Sequence, residues 1–409
     1  MARPFAGYLY AKVEPVLAIV APGQGSQVPG FLTPWLELPH FEDRLRWLGT
    51  VAGIDLVAHG TTSDEDTIRD TAVAQPLIVG SGLVSLLSLF PHPAEAFAKV
   101  GVGAGHSVGE ITAAAASHVL SAEQAMVFVR ERGKAMAAAA AVTPTGMSAV
   151  LGGERDEVIA TLQRHGLTAA NENGAGQIVA AGTMDQLGAL AADPPAGARI
   201  RPLSVAGAFH TTHMGPAVAV LARHARAIST HDTRIQLLSN ADGTIVRSGR
   251  EVLTRLVTQV SNPVRWDLCM QSMLDLGVTG LIELPPAGTL VGLAKRAMPD
   301  VECVALKTPD DIPAALDLVA RHGTTNEHSE SPTWRLVVAP FKGTIEFAVG
   351  EEPGTVLDDN TRVATIRTLR DEYPVMAPHG GVIVEWLVTD GDPVNPGQPL
   401  LRLHPRAGA

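Results

Sequence analysis

The stretch of this chain whose residue types and spacing could do chemistry is Gly105-His106-Ser107-Val108-Gly109-Glu110. It follows the short apolar run Val100-Gly-Val-Gly-Ala104 and leads into Ile111-Thr-Ala-Ala-Ala-Ala-Ser-His-Val-Leu120, read as a helix. Strand, sharp turn and helix, with Gly-x-Ser-x-Gly at the turn, are the parts of a nucleophile elbow. Gly105 and Gly109 let backbone segments pass close together and hold Ser107 at the tip. Amide N–H groups at the head of the helix are unpaired and the helix dipole is positive there, so an oxyanion on a substrate carbonyl would be stabilised. The chemistry indicated is acyl transfer through serine. A glycine-rich turn with an incidental serine has the same spacing, and the motif alone leaves that reading open. A serine nucleophile needs a base, and His106, His210 and His213 are candidates among which spacing does not choose.

Several elements must position these residues. Val16-Leu-Ala-Ile-Val20 is a continuous apolar run, as in a strand covered on both faces of a parallel sheet. It ends in Ala21-Pro-Gly-Gln24-Gly-Ser-Gln27, where glycines on both sides of a glutamine predict a turn that approaches a ligand or another loop. Neither the Gly-x-x-x-x-Gly-Lys-Ser/Thr nor the Gly-x-Gly-x-x-Gly spacing of a phosphate loop is present. The pattern is mostly helical from Phe31 to Lys99, with one helix running from Thr71 to Phe90, and helical again from Ser121 to Ala141. That last helix carries Arg130-Glu131-Arg132-Gly133-Lys134, of which at least two charges are expected on a solvated face. Residues 146–205 read strand, helix, strand, strand, helix, strand, the order of a small ferredoxin-like subdomain. It is inserted in a larger α/β domain made of residues 16–145 and 206–322.

A chain of 409 residues with 46% hydrophobic residues predicts two or three globular domains. The net charge of −11 argues against broad electrostatic binding to nucleic acid or an anionic membrane. Two cysteines, Cys269 and Cys303, sit in unrelated segments, so neither a disulfide framework nor a metal site is expected. Lys12 and Glu14 interrupt the N-terminal apolar run, and the longest apolar stretch, near Leu77 to Phe90, is read as too short to span a bilayer. A soluble cytoplasmic protein is expected, with residues 1–15 as an unstructured leader.

A polar linker at 323–333 marks a domain boundary. Beyond it, Val338-Ala-Pro-Phe-Lys342-Gly-Thr-Ile recurs 38 residues later as Met376-Ala-Pro-His-Gly-Gly-Val-Ile, and Val356 recurs as Val394. Short strands with Pro and Gly at fixed offsets in two copies predict two interlocked halves closing one small β-domain.

Eight ordered motifs carry a resemblance: Ala21-Pro-Gly-Gln-Gly-Ser-Gln27, Ala72-Val-Ala-Gln-Pro76, Gly105-His-Ser-Val-Gly-Glu110, Arg132-Gly-Lys-Ala-Met136, Gly207-Ala-Phe-His210, Ser239-Asn-Ala-Asp-Gly243, Asn262-Pro-Val-Arg-Trp266 and Gly288-Thr-Leu-Val-Gly-Leu-Ala-Lys-Arg296. Over residues 16–320 the chain resembles the malonyl-CoA:acyl-carrier-protein transacylase family in its actinobacterial form. The resemblance implies an α/β-hydrolase-like acyltransferase core with Ser107 as nucleophile and His210 as base. It places backbone carbonyls of the Asn262 to Arg265 segment behind the histidine, the amides of Gln24 and Val108 in the oxyanion hole, and Arg132 on the malonyl carboxylate. Gln75, His106 and Phe209 are implied to line the acyl site, Phe209 filling the space a methyl branch would need. Lys295 and Arg296, with Lys134 and Arg201 as further candidates, would offer a positive rim to an acidic acyl carrier protein.

Residues 334–405 resemble a biotinyl/lipoyl carrier domain, a barrel-sandwich hybrid. Where that family places its modified lysine in a hairpin, this chain reads Thr368-Leu369-Arg370-Asp371, and Lys342 is expected in an early strand. Arginine cannot form the amide that attaches biotin or lipoate, so no such cofactor is expected. The activity implied is ping-pong malonyl transfer from malonyl-CoA to acyl carrier protein in fatty-acid synthesis. The alternatives are a free-standing acyltransferase for a polyketide synthase carrier, a serine hydrolase, and a scaffold with a vestigial acyltransferase.

Overall fold

Val16–Ala21 lies at the centre of a five-stranded parallel sheet ordered Glu302–Ala305, Val278–Glu283, Val16–Ala21, Val102–Gly105, Gln236–Leu237. Leu17, Ile19 and Ala21 enter one hydrophobic core while Ala18 and Val20 enter a second. This period-two split is what a strand covered on both faces requires, and it explains the unbroken apolar run. A computed structural model of the chain describes residues 15–205, 207–323, 335–350, 352, 354–368 and 370–404. The expected leader, the linker and the ends of the C-terminal domain therefore fall almost wholly outside the described residues, and so does Ala206. The chain is mixed α/β and divides into two compact units near residue 329.

In the first unit the helix Thr71–Leu89 packs against the helix Ala122–Ala140. The latter begins where expected, because Ser121 and Gln124 form a reciprocal capping box. The Thr71–Leu89 helix corrects the reading of its apolar run. It starts six residues before that run, and its 19 residues are long and apolar enough to cross a bilayer. Yet 72% of the window is buried inside the fold, as for the core helix of a globular protein. The helix after the elbow spans Gly109–Ala116, shorter than the alanine pattern suggested. His118 takes a left-handed conformation (φ 73°), and Val119 N–H donates to Ala114 O at 2.9 Å while His118 N–H donates to Ala115 O at 3.0 Å. That is a Schellman ending with histidine in the usual glycine position, which turns Val119 into the core.

A second sheet runs Ala198–Pro202, Thr145–Gly152, Gln177–Thr183, Thr168–Gly174, Val264–Arg265. The first four strands are antiparallel, and the helices Arg155–Arg164 and Met184–Ala192 connect them. Val264–Arg265 joins in parallel from far outside 146–205. Two residues are too few to show a period, so this fifth strand left no trace in the sequence pattern.

The second unit holds two four-stranded antiparallel sheets. Its repeat copies interlock. Val356–Leu357, from the first half, pairs with Gly381–Trp386 of the second, while Pro393–Val394, from the second half, pairs with Gly343–Phe347 of the first. Thr368 N–H donates to Asp371 O at 2.9 Å between the paired strands Thr361–Arg367 and Glu372–Ala377. Arg370 is exposed there. Lys342 lies in the bend preceding Gly343–Phe347 and not in a strand, because Gly343 is the first residue of the copy to pair.

Candidate active site

The loop from His106 to Val108 is stapled to the first strand, since His106 N–H donates to Ala21 O at 2.9 Å. A Cβ on Gly105 would fall 2.0 Å from Gly109 carbonyl atoms, and one on Gly109 would fall 2.2 Å from Ala21 O. Both glycines are therefore demanded by close backbone approach. Ser107 is left-handed (φ 52°), and so is His210 (φ 60°), conformations of order 1–3 kcal/mol for residues with a side chain.

These two strained residues meet. Ser107 Oγ lies 2.8 Å from His210 Nε2. His210 Nδ1 lies 2.9 Å from the carbonyl oxygen of Gln259, which can only accept. The ring proton therefore sits on Nδ1, and Nε2 is free to accept from the serine hydroxyl. Burial, with the Arg132 guanidinium nearby, pushes the imidazole pKa down to about 3, so it is a neutral base at neutral pH. His106 and His213 are not its rivals. His106 Nε2 is 2.9 Å from Asn173 Oδ1 and the ring stands edge-on to Trp266, whereas His213 sits in the turn Thr212–Met214.

The carbonyl behind the base corrects the sequence reading, which drew it from Asn262 and Arg265. Gln259 O makes the hydrogen bond, and the Asn262 backbone contributes a weaker favourable interaction. Arg265 is turned away, its guanidinium held by Asp267 at 2.8 Å and its backbone N–H donating to Asn240 O. The helix Gly249–Gln259 ends at the histidine, and its last carbonyl, which also accepts from Asn262 N–H at 3.1 Å, is the one presented to the ring.

Arg132 is fully buried. Nη2 donates to Gln259 Oε1 at 2.8 Å and reaches Ser107 Oγ at 3.3 Å, while Nε and Nη1 have no hydrogen-bond partner among the described residues. Burial lowers its pKa to about 9, the field of Glu110 opposing the shift. Below the turn lies Glu110, also buried, whose pKa burial raises to about 7 against hydrogen bonds from Asn240 and Gln259. Asn240 Oδ1 accepts from Ser107 N–H at 2.8 Å and its Nδ2 donates to Gly105 O at 2.7 Å. Gln259 and the supporting roles of Glu110 and Asn240 were missed in the sequence. Asn240 and Glu110 lay inside quoted motifs, but nothing in spacing marks a buried amide.

A cavity of about 490 Å³ opens over Ser107 and His210, lined also by Gln24, Gln75, His106 and Phe209. Gln75 is buried with Oε1 unpartnered and Nε2 on the Met136 sulfur at 3.5 Å. Gln24 is anchored through its side chain to Arg69 O and Thr71 Oγ1, which leaves its role to the backbone. Val108 is buried at the head of the Gly109–Ala116 helix. Arg201 lines the cavity, while Lys295 and Arg296 are exposed in the last turn of Thr289–Ala297, whose first turn lines it too. Lys134 is exposed and apart from the lining.

A half-buried serine paired with a buried histidine on a strand–turn–helix, with an arginine beside them, defines a serine acyltransferase, and residues 19–308 match the family described as acyl transferase domain. The chain is 48% identical over 297 residues to the malonyl CoA-acyl carrier protein transacylase of Mycobacterium tuberculosis, covering 73% of this chain and 98% of that protein. It belongs to the malonyl-CoA:acyl-carrier-protein transacylase family. The crystal structure of that enzyme type from M. tuberculosis superposes with a TM-score of 0.71 at 47% identity, covering 74% of this chain and 99% of that one. A type II polyketide-synthase acyl-carrier protein in complex with its malonyl-transacylase matches at TM-score 0.68 and 27% identity, over 74% and 99% of the two chains. The family match ends before the second unit.

Proposed function

We propose that the chain transfers malonyl groups from malonyl-CoA to the phosphopantetheine thiol of an acyl carrier protein, in fatty-acid synthesis, by way of a malonyl-serine. The observation that carries this is a nucleophile–base pair at 2.8 Å with a buried guanidinium 3.3 Å from the nucleophile and two of its nitrogens unpartnered. His210 Nε2 takes the Ser107 proton as Oγ attacks the thioester carbonyl. The oxyanion is received by the amides of Gln24 and Val108, the latter at the positive end of a helix. The intermediate collapses, and His210 returns the proton to the departing thiolate of CoA. The carrier thiol then runs the same steps in reverse. A thiol is a good leaving group, so a backbone carbonyl behind the histidine suffices where other triads use a carboxylate.

Arg132 receives the malonyl carboxylate through Nε and Nη1. Charge-assisted hydrogen bonds of this kind are each worth about 1.5–3 kcal/mol. An acetyl group would leave the same nitrogens buried and unpaired. Gln75 and His106 complete the acyl site, and Phe209 narrows it against a methyl branch. Lys295 and Arg296, with Arg201, form the docking rim for an acidic carrier.

The architecture is read as an α/β-hydrolase-like core carrying a ferredoxin-like insertion, for which the antiparallel strand order of the second sheet speaks. The second unit is a biotinyl/lipoyl-like domain that carries no biotin or lipoate, since its hairpin tip holds Arg370. It serves docking, assembly or stability. The cytoplasm is the place of work, consistent with two free cysteines and an apolar helix spent on the core. Intact-protein mass after brief exposure to malonyl-CoA tests the reading. A malonyl increment on Ser107, discharged by adding acyl carrier protein, is expected; free malonate appearing without a carrier would make the protein a hydrolase instead.

A further inference from the structure

Gln259 touches the base, the buried arginine and the nucleophile's turn at once. Its backbone carbonyl orients His210 at 2.9 Å, and its side-chain Oε1 accepts from Arg132 Nη2 at 2.8 Å. Its Nε2 faces three acceptors: Ser107 O at 3.1 Å, Asn240 Oδ1 at 3.2 Å and the Glu110 carboxylate. A carboxylate offers only lone pairs and a guanidinium only N–H groups. An amide wedged between them has one satisfied orientation, nitrogen toward Glu110 and oxygen toward Arg132.

We propose that the Gln259 side chain is the positioning residue for acyl selection. Held one way round by Glu110, Ser107 O and Asn240, it fixes Arg132 with Nη2 3.3 Å from Ser107 Oγ and leaves Nε and Nη1 to the carboxylate of the acyl group. Among the described residues no carboxylate lies within salt-bridge distance of the arginine, so its charge stays available to the acyl chain. Had an acid replaced the glutamine, the guanidinium would be neutralised before substrate arrived. A neutral amide holds it with a weaker bond and leaves the stronger partner to be supplied by malonate.

The inference rests on the malonyl-transfer reading, and the test separates the two. Single-turnover acylation of Ser107 is followed by intact mass with malonyl-CoA and acetyl-CoA, for the native chain, Gln259→Met, Arg132→Ala and the double variant. Gln259→Met keeps the backbone carbonyl behind His210 and removes only the amide. The malonyl-over-acetyl rate ratio is expected to fall about tenfold, with KM for malonyl-CoA rising, and to fall no further when the change is made in the Arg132→Ala background. A parallel loss with both donors, or an unchanged ratio, overturns the inference. Should Gln259→Met not fold, Gln259→Asn, one methylene too short to reach Arg132, is expected to give the same fall and is judged by the same ratio. A native chain that takes no malonyl group fails the underlying reading instead.

Discussion

The two units use arginine in opposite ways. Arg132 in the acyltransferase unit is wholly buried, its pKa pulled down to about 9, with two nitrogens unpartnered beside a nucleophile. Arg370 in the β-unit is exposed at a hairpin tip. The same contrast runs through the backbone. In the first unit the left-handed residues Ser107 and His210 converge on one hydrogen bond, whereas the second unit's left-handed Asn360 precedes a strand that starts at Thr361. Strain and unsatisfied charge are tolerated where they meet a substrate.

The largest test of that contrast is Ser107→Ala. Removing the only atom that carries the acyl group is expected to abolish the malonyl increment, a loss of at least about 10³-fold in transfer. Next is Arg132→Lys, which keeps a charge but loses the planar fork. Malonyl acylation is expected to fall by about 10–100-fold while acetyl acylation changes little. Equal losses with both donors would make Arg132 a structural group and erase the difference from Arg370.

Which parts could be foreseen follows from range. The elbow was legible because Gly105, Ser107 and Gly109 are local in the chain, although only Gly105 answers a clash within the turn and Gly109 answers one with Ala21 of the first strand. The interlocked β-unit was legible because its symmetry is written twice, 38 residues apart. The base was not legible from spacing, since His210 lies 103 residues from Ser107 and only the fold brings it near. The family resemblance supplied it. Gln259 escaped both routes. Its work is done by a carbonyl any residue possesses and by an amide whose partners come from three separate segments.

The pH profile sharpens the comparison further. His210, with its pKa near 3, should remain a working base well below neutrality. Acylation at pH 5 is expected within about twofold of that at pH 7, whereas an imidazole of ordinary pKa would be only about 3% neutral at pH 5. The contribution of His210 to stability has a definite sign. The folded pKa lies below the unfolded value of 6.5, so between 6.5 and 3 the unfolded chain holds the extra proton and stability falls as pH falls through that window. His210→Asn should lose this slope in a series of melting temperatures taken from pH 7 to pH 5. A native chain with no steeper fall than the variant would place the imidazole in a more solvated site than the 2.9 Å bond to Gln259 describes.

The smallest effect on chemistry is expected from the second unit. Ile366 is completely buried in its core, among Ile345, Val363 and Val375. Ile366→Ala should destabilise that unit by about 2–5 kcal/mol, visible as an earlier melting transition or protease cleavage in the β-unit. Ser107 acylation should remain within about twofold, because none of the residues holding Ser107, His210, Arg132 or Gln259 comes from beyond residue 329 among the described contacts. Transfer to the carrier is the more telling half of the experiment. If acylation is preserved while discharge by acyl carrier protein slows, the β-unit has a docking task. If both rates are preserved, its task lies in assembly or stability.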